Sequence, residues 1–472
     1  MGVYPRTEVI GRLIAAMGRA GELEKLHELY QGAQLVLTSL ADEKQAQSLG
    51  WFLIEDQMII GLAHADEVEA AHVHRMRILE QSGSPSADAY GALIENVTDT
   101  TDDTTNALTL FEECRARGVT PNIYLYNTVI SKLAKARKAD HAIQLFHQMQ
   151  AEHVRPTSVT YGALIAACCR VGDAISAETL FTEMTAQKNF KPRIPPYNTM
   201  MQLYTHTKPD RERVLHYFNE MRRVGVKPTA HTYKLLMDAY GTIEPIDTAA
   251  MQQAFDTLVA DPQVAVQGTH WAALINAWGC AKKDLNQAIA IFESIPSHPS
   301  TKPNSRQPDA VVFEALINVF VTLRCPELIA QYRARIPELG IRMTAYIANL
   351  LIKGYAAAGD VVEARNIFEA LADPPEGIAA PFNHAPHGDQ PAAPLNHLNL
   401  PDGTVYREPS TWEAMVRAEL GHGNRDEALA LLERVRARRF PPAVYHRISG
   451  IMLDDSVSPW GRGSEASAPS TP

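Results

Sequence analysis

The stretch YNTVISKLAKARKADHAIQLFHQM, Tyr126–Met149, decides how the chain is read. Tyr126, Val129, Ile130 and Leu133 stand at i, i+3, i+4 and i+7, and Ala142, Leu145, Phe146 and Met149 keep the same spacing. Each set is an apolar stripe along one face of a helix. The polar run between them predicts a tight turn, with Asp140 as N-cap of the second helix. The unit then returns as YGALIAACCRVGDAISAETLFTEM from Tyr161 and as YNTMMQLYTHTKPDRERVLHYFNEM from Tyr197.

Two aromatic rulers extend this register. The first-helix aromatic falls at Tyr90, Tyr126, Tyr161, Tyr197, Tyr233, Trp271 and Phe313, in steps of 36, 35, 36, 36, 38 and 42. The second-helix aromatic falls at Phe111, Phe146, Phe181, Phe218, Phe255, Phe292, Tyr332 and Phe368. A closing proline recurs at Pro85, Pro121, Pro156, Pro192 and Pro228, where a helix interior does not tolerate it. One helix pair cannot bury both of its stripes, whereas stacked pairs can. The expected fold is therefore an all-α solenoid of stacked antiparallel helix pairs with a period of about 35 residues.

The boundaries follow from how well the register holds. Residues 1–86 read as degenerate helical repeats, 87–344 as the core array, and 345–372 as a further repeat. Residues 373–408 read as an irregular insertion rich in Pro and His, 409–453 as a C-terminal repeat, and 454–472 as a disordered tail.

The 472 residues are 46% hydrophobic and 21% charged, as in a folded chain. The five cysteines, Cys114, Cys168, Cys169, Cys280 and Cys325, form neither a zinc pattern nor a secreted disulfide framework, and read as buried thiols. The formal net charge of −10 argues against a uniformly basic nucleic-acid binder. Residues 121–260 nevertheless carry 16 Lys/Arg against 12 Asp/Glu, so a basic groove is compatible with the mean. No apolar run reaches a membrane span. The opening residues, with Arg6, Arg12 and Arg19, have a transit-like composition, but they also fit a helix–turn–helix, the reading preferred here.

The pattern Y-[NG]-x-[LVM]-[IM], then L-F-x-x-M, then G-V-x-P resembles the pentatricopeptide repeat, most clearly over residues 87–344. The related tetratricopeptide signature, with its L-G-x-x-Y and 34-residue period, fits less well. The resemblance implies an α-solenoid that binds single-stranded RNA, of the kind found among organellar RNA-processing or translation factors. The fungal mitochondrial type is the nearest in appearance. It implies an organellar transcript as partner, with the mitoribosome or other RNA-processing proteins as further partners. The alternative is a helical-repeat protein scaffold that does not read RNA.

In that family one base is read per repeat by two or three side chains. Carried onto this chain, the position after the first-helix aromatic is Gly91, Asn127, Gly162, Asn198, Lys234, Ala272, Glu314 and Asn349. The position just past the closing proline is Asn122, Thr157, Arg193, Thr229, Asp309 and Thr344. The position two before the aromatic, which wedges between bases, includes Asp88, Tyr124, Val159, Pro195 and His231.

Each set has a plainer reading. Asn122, Thr157, Thr229, Asp309 and Thr344 are all good N-caps. Asn inside a helix costs about 0.5 kcal/mol relative to Ala, so Asn127, Asn198 and Asn349 call for another reason, and a base edge supplies one. A glycine in that column serves either close helix packing or a base admitted without selection. Tyr124 is expected as a surface ring able to stack on a base for about 1–3 kcal/mol. Lys132, Lys135, Arg137 and Lys138 at one turn, and Arg211, Arg213, Arg222, Arg223 and Lys227, are expected to track phosphates.

No active site is expected. The H-x-E and P-C-x-x-C parts of a zinc deaminase and the glycine motifs of nucleotide sites are absent. His384, His387 and His397 read as polar loop residues, so no metal or cofactor is expected.

Overall fold

The computed structural model describes residues 5–96, 103–188, 190–301, 308–374, 377, 383–384 and 404–453. Among them the chain forms twenty-three α-helices and no strand. It is an all-α helical-repeat solenoid. Two compact units are resolved, residues 1–208 with 219–226 and residues 209–218 with 227–472.

The first unit holds α1 (Thr7–Arg19), α2 (Leu23–Ser39), α3 (Lys44–His64), α4 (Val68–Glu80), α5 (Ala87–Asn96), α6 (Asp103–Ala116), α7 (Ile123–Lys135), α8 (Ala139–Ala151), α9 (Ser158–Val171), α10 (Ala174–Thr185) and α11 (Ile194–Gln202). Its odd-numbered helices stack in one row, α1 on α3, then α5, α7, α9 and α11. Helix α12 (Arg211–Arg223) follows. The second unit continues with α13 (Ala230–Thr242), α14 (Thr248–Ala260), α15 (Gly268–Asn276), α16 (Leu285–Ser294), α17 (Ala310–Thr322) and α18 (Pro326–Ala334). It ends with α19 (Ala345–Ala357), α20 (Val361–Ala370), α21 (Pro409–Gly421), α22 (Arg425–Ala437) and α23 (Pro442–Gly450). Here the row runs α13, α15, α17, α19, α21.

The two aromatic rulers meet in space. The ring closing one pair packs edge-on or tilted against the ring opening the next. In the first unit these are Phe111–Tyr126 at 5.3 Å between centroids, Phe146–Tyr161 at 5.4 Å and Phe181–Tyr197 at 5.2 Å. In the second they are Phe218–Tyr233 at 6.4 Å, Phe255–Trp271 at 4.6 Å, Phe292–Phe313 at 6.4 Å and Phe368–Trp412 at 5.0 Å. Such pairs contribute about 0.5–1.5 kcal/mol beyond the area they bury.

Several of the tyrosines also carry a polar tie. Tyr90 Oη donates to Glu113 at 2.7 Å, Tyr126 Oη to Glu152 at 2.7 Å and Tyr332 Oη to Glu293 at 2.7 Å. Arg75, Arg115 and Arg335 bind those same three carboxylates. Burial, then the hydrogen bond to Glu293, pushes Tyr332 up to about 12 from its ordinary 10.0. Tyr30, which donates to the buried Glu55, is also raised to about 12 by burial and that bond.

The turn inside several of the pairs holds one residue in the left-handed region. Gly21, Gly172, Gly359 and Gly423 supply it at φ 72°, 81°, 89° and 79°. The next residue often caps the second helix, as Asp173, Asp284 and Asp360 do through their side chains. In the opening stretch the expected cap differs. Lys138 is the N-cap of α8, and Asp140 lies in its first turn. Its charge faces the positive end of the helix there instead of satisfying a backbone N–H.

The described residues of the insertion are anchored by specific partners. Asn383 is buried, its carbonyl accepting from Ala345 N at 3.0 Å and its Nδ2 donating to Tyr406 O and Glu408 Oε1. His384 Nε2 lies 2.8 Å from Glu408 Oε2, so it is an anchored partner and not a loose loop residue. Arg407 is 5% exposed, pairs with Glu369 and Asp373, and stacks on Phe368 at 4.7 Å. His387, His397 and the tail from Asp454 lie outside the described residues. Of the cysteines, Cys114, Cys168 and Cys169 are buried, whereas Cys280 and Cys325 are half-buried.

Phe146→Ala is expected to cost about 3–5 kcal/mol, the range for a fully packed Phe, read as a lower denaturation midpoint. The pH dependence has two limbs. The raised tyrosines favour the proton-bound form, so their contribution is complete below pH 10.0 and is lost as pH rises through about 12. For Glu293, hydrogen bonding from Arg335 outweighs burial and lowers its pKa below 4.5, so its contribution is present above pH 4.5 and lost on acidification below it. Circular dichroism from pH 3 to pH 12 (about the span of these groups) should show a plateau bounded by both losses.

Candidate nucleic-acid interface

The column after each first-helix aromatic faces the start of the next first helix. Asn127, half-buried on α7, accepts a 2.7 Å hydrogen bond from Thr160 Oγ1 on α9. The same hydroxyl accepts from Thr157 N, closing the N-terminal turn of α9. Glu314 accepts from Thr344 Oγ1 at 2.7 Å, and Asn349 Nδ2 donates to Ser410 Oγ at 2.9 Å. These polar residues therefore bridge neighbouring repeats, a demand of packing that the helix pattern alone does not reveal. Burial raises the pKa of Glu314 above its ordinary value, opposed by the hydrogen bond from the Thr344 hydroxyl.

The members of the column are not equally open. Asn127 leaves its Nδ2 without a partner among the described residues, with its orientation set by Thr160. Asn198 is 9% exposed and Asn349 5% exposed, the latter with Oδ1 buried and unpartnered among the described residues. Lys234 is half-buried and pairs with Asp238 one turn along α13. Ala272 is buried.

The two glycines prove to be different cases. A Cβ on Gly91 would stand 2.4 Å from the Tyr124 ring, so this glycine makes room for that side chain. Tyr124 is half-buried, with its hydroxyl donating to Glu95 at 2.5 Å, and is not the free surface ring expected. A Cβ on Gly162 would meet nothing within 4 Å.

The column past the proline stands at N-caps throughout. Asn122 accepts from Leu125 N, Thr229 from Thr232 N, Asp309 from Val312 N and Thr344 from Ile347 N. Asn122 also donates to Asp88 at 2.8 Å. Arg193 is the N-cap of α11 without a side-chain cap. In the wedge column Asp88, Pro195 and His231 are exposed, and Val159 is 55% exposed. Tyr346, 46% exposed, occupies the same register in α19, three residues before Asn349 as Tyr124 stands three before Asn127.

The basic groups also divide. Arg211 is committed to structure: its guanidinium donates to the carbonyls of Ala239, Ile243 and Pro245 at the end of α13 and lies 5.6 Å from the Tyr240 ring. Lys132 approaches Asp103 at 3.6 Å, and Lys138 donates to Thr104. Arg137, Lys283 and Arg324 are exposed and adopt φ 59°, 58° and 56° at the turn where other repeats use glycine. A side chain in that conformation costs about 1–2 kcal/mol. Among the described residues no group of three His, Cys, Asp or Glu is placed to hold a metal ion, and no helix is long and apolar enough to cross a membrane.

Stacked pairs with side chains in register along the first-helix row of each unit define a helical-repeat architecture. Comparison with known proteins then names the family. The pentacotripeptide-repeat region of PRORP matches residues 81–243, and the PPR repeat matches residues 346–372. The chain is 36% identical over 451 residues to pentatricopeptide repeat-containing protein 5, mitochondrial, of Schizosaccharomyces pombe, a match spanning 94% of this chain and 33% of that relative. A mitochondrial pentatricopeptide repeat-containing protein of Arabidopsis thaliana is 20% identical over 36% of this chain and 40% of its own length. The crystal structure of PPR10 from maize covers 96% of this chain and 66% of PPR10, with a TM-score of 0.39 and 16% identity. The chain belongs to the pentatricopeptide repeat family. It spans about a third of the length of its fission-yeast relative.

The glycines give a direct test of the geometry. Gly91→Ala should destabilise by about 1–3 kcal/mol, because the Tyr124 ring must move. Gly162→Ala should be neutral or stabilise by about 0.5–1 kcal/mol, the helix-propensity gain. Denaturant midpoints of the two variants, moving in opposite directions, check this.

Proposed function

We propose that the chain binds single-stranded RNA along its first-helix row, in mitochondria, and acts by occupation without a reaction of its own. The observation that carries this reading is the Asn127–Thr160–Val159 arrangement. Thr160 fixes the Asn127 carboxamide so that its N–H donors are unspent, and the neighbouring Val159 is an exposed apolar side chain. An oriented donor beside an apolar face suits a base: the face packs on the ring while the amide meets an acceptor on its edge.

The charge placement supports the same reading. Arg137, Lys283 and Arg324 keep a strained backbone where glycine relieves the strain in other repeats. Strain held at an exposed position points to a role for the side chain itself, and a cation at the end of the first helix suits a phosphate. Within the coding column, Asn127 is the open selecting position, Asn198 contributes from a buried setting, Gly162 passes a base without selection, and Asn349 is withdrawn by its bond to Ser410. Asn122, Thr157, Thr229 and Asp309 contribute while capping their helices, whereas the Arg193 side chain makes no cap. Held extended in this way, a transcript is shielded from nucleases and from its own hairpins. The mitochondrial setting is supported by the two relatives, both named as mitochondrial proteins.

The test uses the full chain on a pool of single-stranded RNA at two salt concentrations. Binding should weaken as salt rises, and one or a few sequences should be enriched. Arg137→Gly with Lys283→Gly and Arg324→Gly should weaken binding and flatten the salt dependence by about 0.7 per lost phosphate contact. Thermal stability should be unchanged or higher, since the backbone strain is relieved. Enrichment without salt dependence, or a triple-glycine variant that binds like the parent, would overturn the assignment of those turns.

A further inference from the structure

Helices α15 and α17 carry a pair of amides one helical turn beyond the column already described. Asn276 and Asn318 stand four residues after Ala272 and Glu314, and both are half-buried. Asn318 Nδ2 donates across the joint to Asn276 Oδ1 at 3.2 Å and to Cys280 Sγ at 3.6 Å. The Cys280 thiol lies 3.7 Å from Asn276 Oδ1 and 3.8 Å from Thr322 Oγ1. The same register in the first unit holds Ser131, Ala166 and Gln202, with no two amides side by side.

The backbone is shaped to bring the two amides together. Helix α15 passes into a π-helical turn, Ala277–Ala281, a feature frequent at functional sites. A Cβ on Gly279 in that turn would collide with the Val319 side chain, so glycine lets the end of α15 close on α17. The bond between the amides fixes the two edges that remain. Among the described residues Asn276 Nδ2 and Asn318 Oδ1 have no partner, and neither atom is sealed from solvent. A fixed donor beside a fixed acceptor matches a hydroxyl, which accepts one hydrogen bond and donates another.

Position indicates which part of a nucleotide this is. On the reading proposed above, bases follow the column, here Ala272 and Glu314, and phosphates follow the turns, here Lys283 and Arg324. The amide pair lies between them, about 6 Å along the helix from the column at 1.5 Å per residue. In a nucleotide the sugar stands between base and phosphate. The column itself offers little in this part of the row, since Ala272 has no polar side-chain atom and Glu314 is engaged by Thr344.

We infer that Asn276 and Asn318 bind a ribose 2′-hydroxyl, which accepts from Asn276 Nδ2 and donates to Asn318 Oδ1, and that the pair sets a preference for RNA over DNA. The inference rests on the RNA-binding reading and adds a sugar-reading site to it. The 2′-hydroxyl is the group by which a protein tells the two nucleic acids apart. A deoxy sugar at this place leaves two amide atoms covered and unpaired, which is how a polar site rejects an analogue lacking one hydroxyl.

The test measures binding of the full chain to three kinds of probe. These are the RNA most enriched from the pool above, the same sequence as an all-2′-deoxy strand that keeps uracil, and strands with one deoxy sugar moved stepwise along the RNA. The RNA should bind about tenfold or more tighter than the deoxy strand, with one placement of the single deoxy sugar accounting for most of the loss. Asn276→Ala and Asn318→Ala should each erase the preference while leaving affinity for the deoxy strand unchanged. Alkylation of Cys280 should slow in the RNA complex, with half-buried Cys325 at the start of α18 labelled as before. Equal binding of the two strands, a loss spread evenly over all placements, or Cys280 labelled as fast with RNA as without would overturn the inference and leave the RNA-binding reading standing. Binding of neither strand would overturn that reading and the inference with it. Should an alanine variant fail to fold, the single-deoxy scan and the Cys280 labelling on the parent chain still decide.

Discussion

The contact on which the array depends is the ring-on-ring seat between consecutive pairs. Phe146 of one unit and Tyr161 of the next are both nearly free of solvent and meet at an angle of 69°. An edge-to-face contact fixes distance and rotation together, because the positive ring edge seeks the negative face. A helix pair held this way has one acceptable place relative to its neighbour. Repeating the seat at Phe111, Phe181, Phe255 and Phe368 makes each unit a template for the one after it. The tyrosine hydroxyls then add the Glu113, Glu152 and Glu293 ties, so an apolar register also positions charged groups.

That dependence explains what was legible in the sequence. The two rulers are widely spaced, heavy residues at a fixed interval, and they mark the pairs directly. The turns were less legible, because a left-handed residue is announced when it is glycine, as at Gly172, and hidden when it is Arg137 or Lys283. Asp140 was misplaced for a related reason: Lys138 occupies the cap position that Asp173 holds one unit later, so chemistry and position part company. Arg211 looked like one more surface cation. Its carbonyl partners lie about one period further on, which no local pattern signals. The anchors of the insertion, Asn383 and Arg407, are single residues in a Pro-rich setting, and their burial depends on partners 23 to 39 positions away.

The candidate site was legible as a column and not as a set of contacts. Asn in a helix interior is unusual enough to flag Asn127, but nothing nearby names Thr160 as its partner. The structure separates residues that share a place in the repeat. Asn127 keeps donors available, Asn349 has spent its amide on Ser410, Gly91 yields to Tyr124, and Gly162 is open. A column read as one letter per unit therefore contains sites of different standing, and the surroundings of each decide what it can do.

The bond from Thr160 to Asn127 has a consequence for how such a chain changes over time. The residue proposed to meet a base is also a strut between two repeats, and its partner shapes the first turn of the following helix through Thr157. Altering the letter at one repeat thus alters the fit of the next. Drift in specificity would have to proceed through paired replacements, one on each side of a joint. An engineer recoding this surface would face the same rule, choosing dipeptides across a seam instead of single letters along a row.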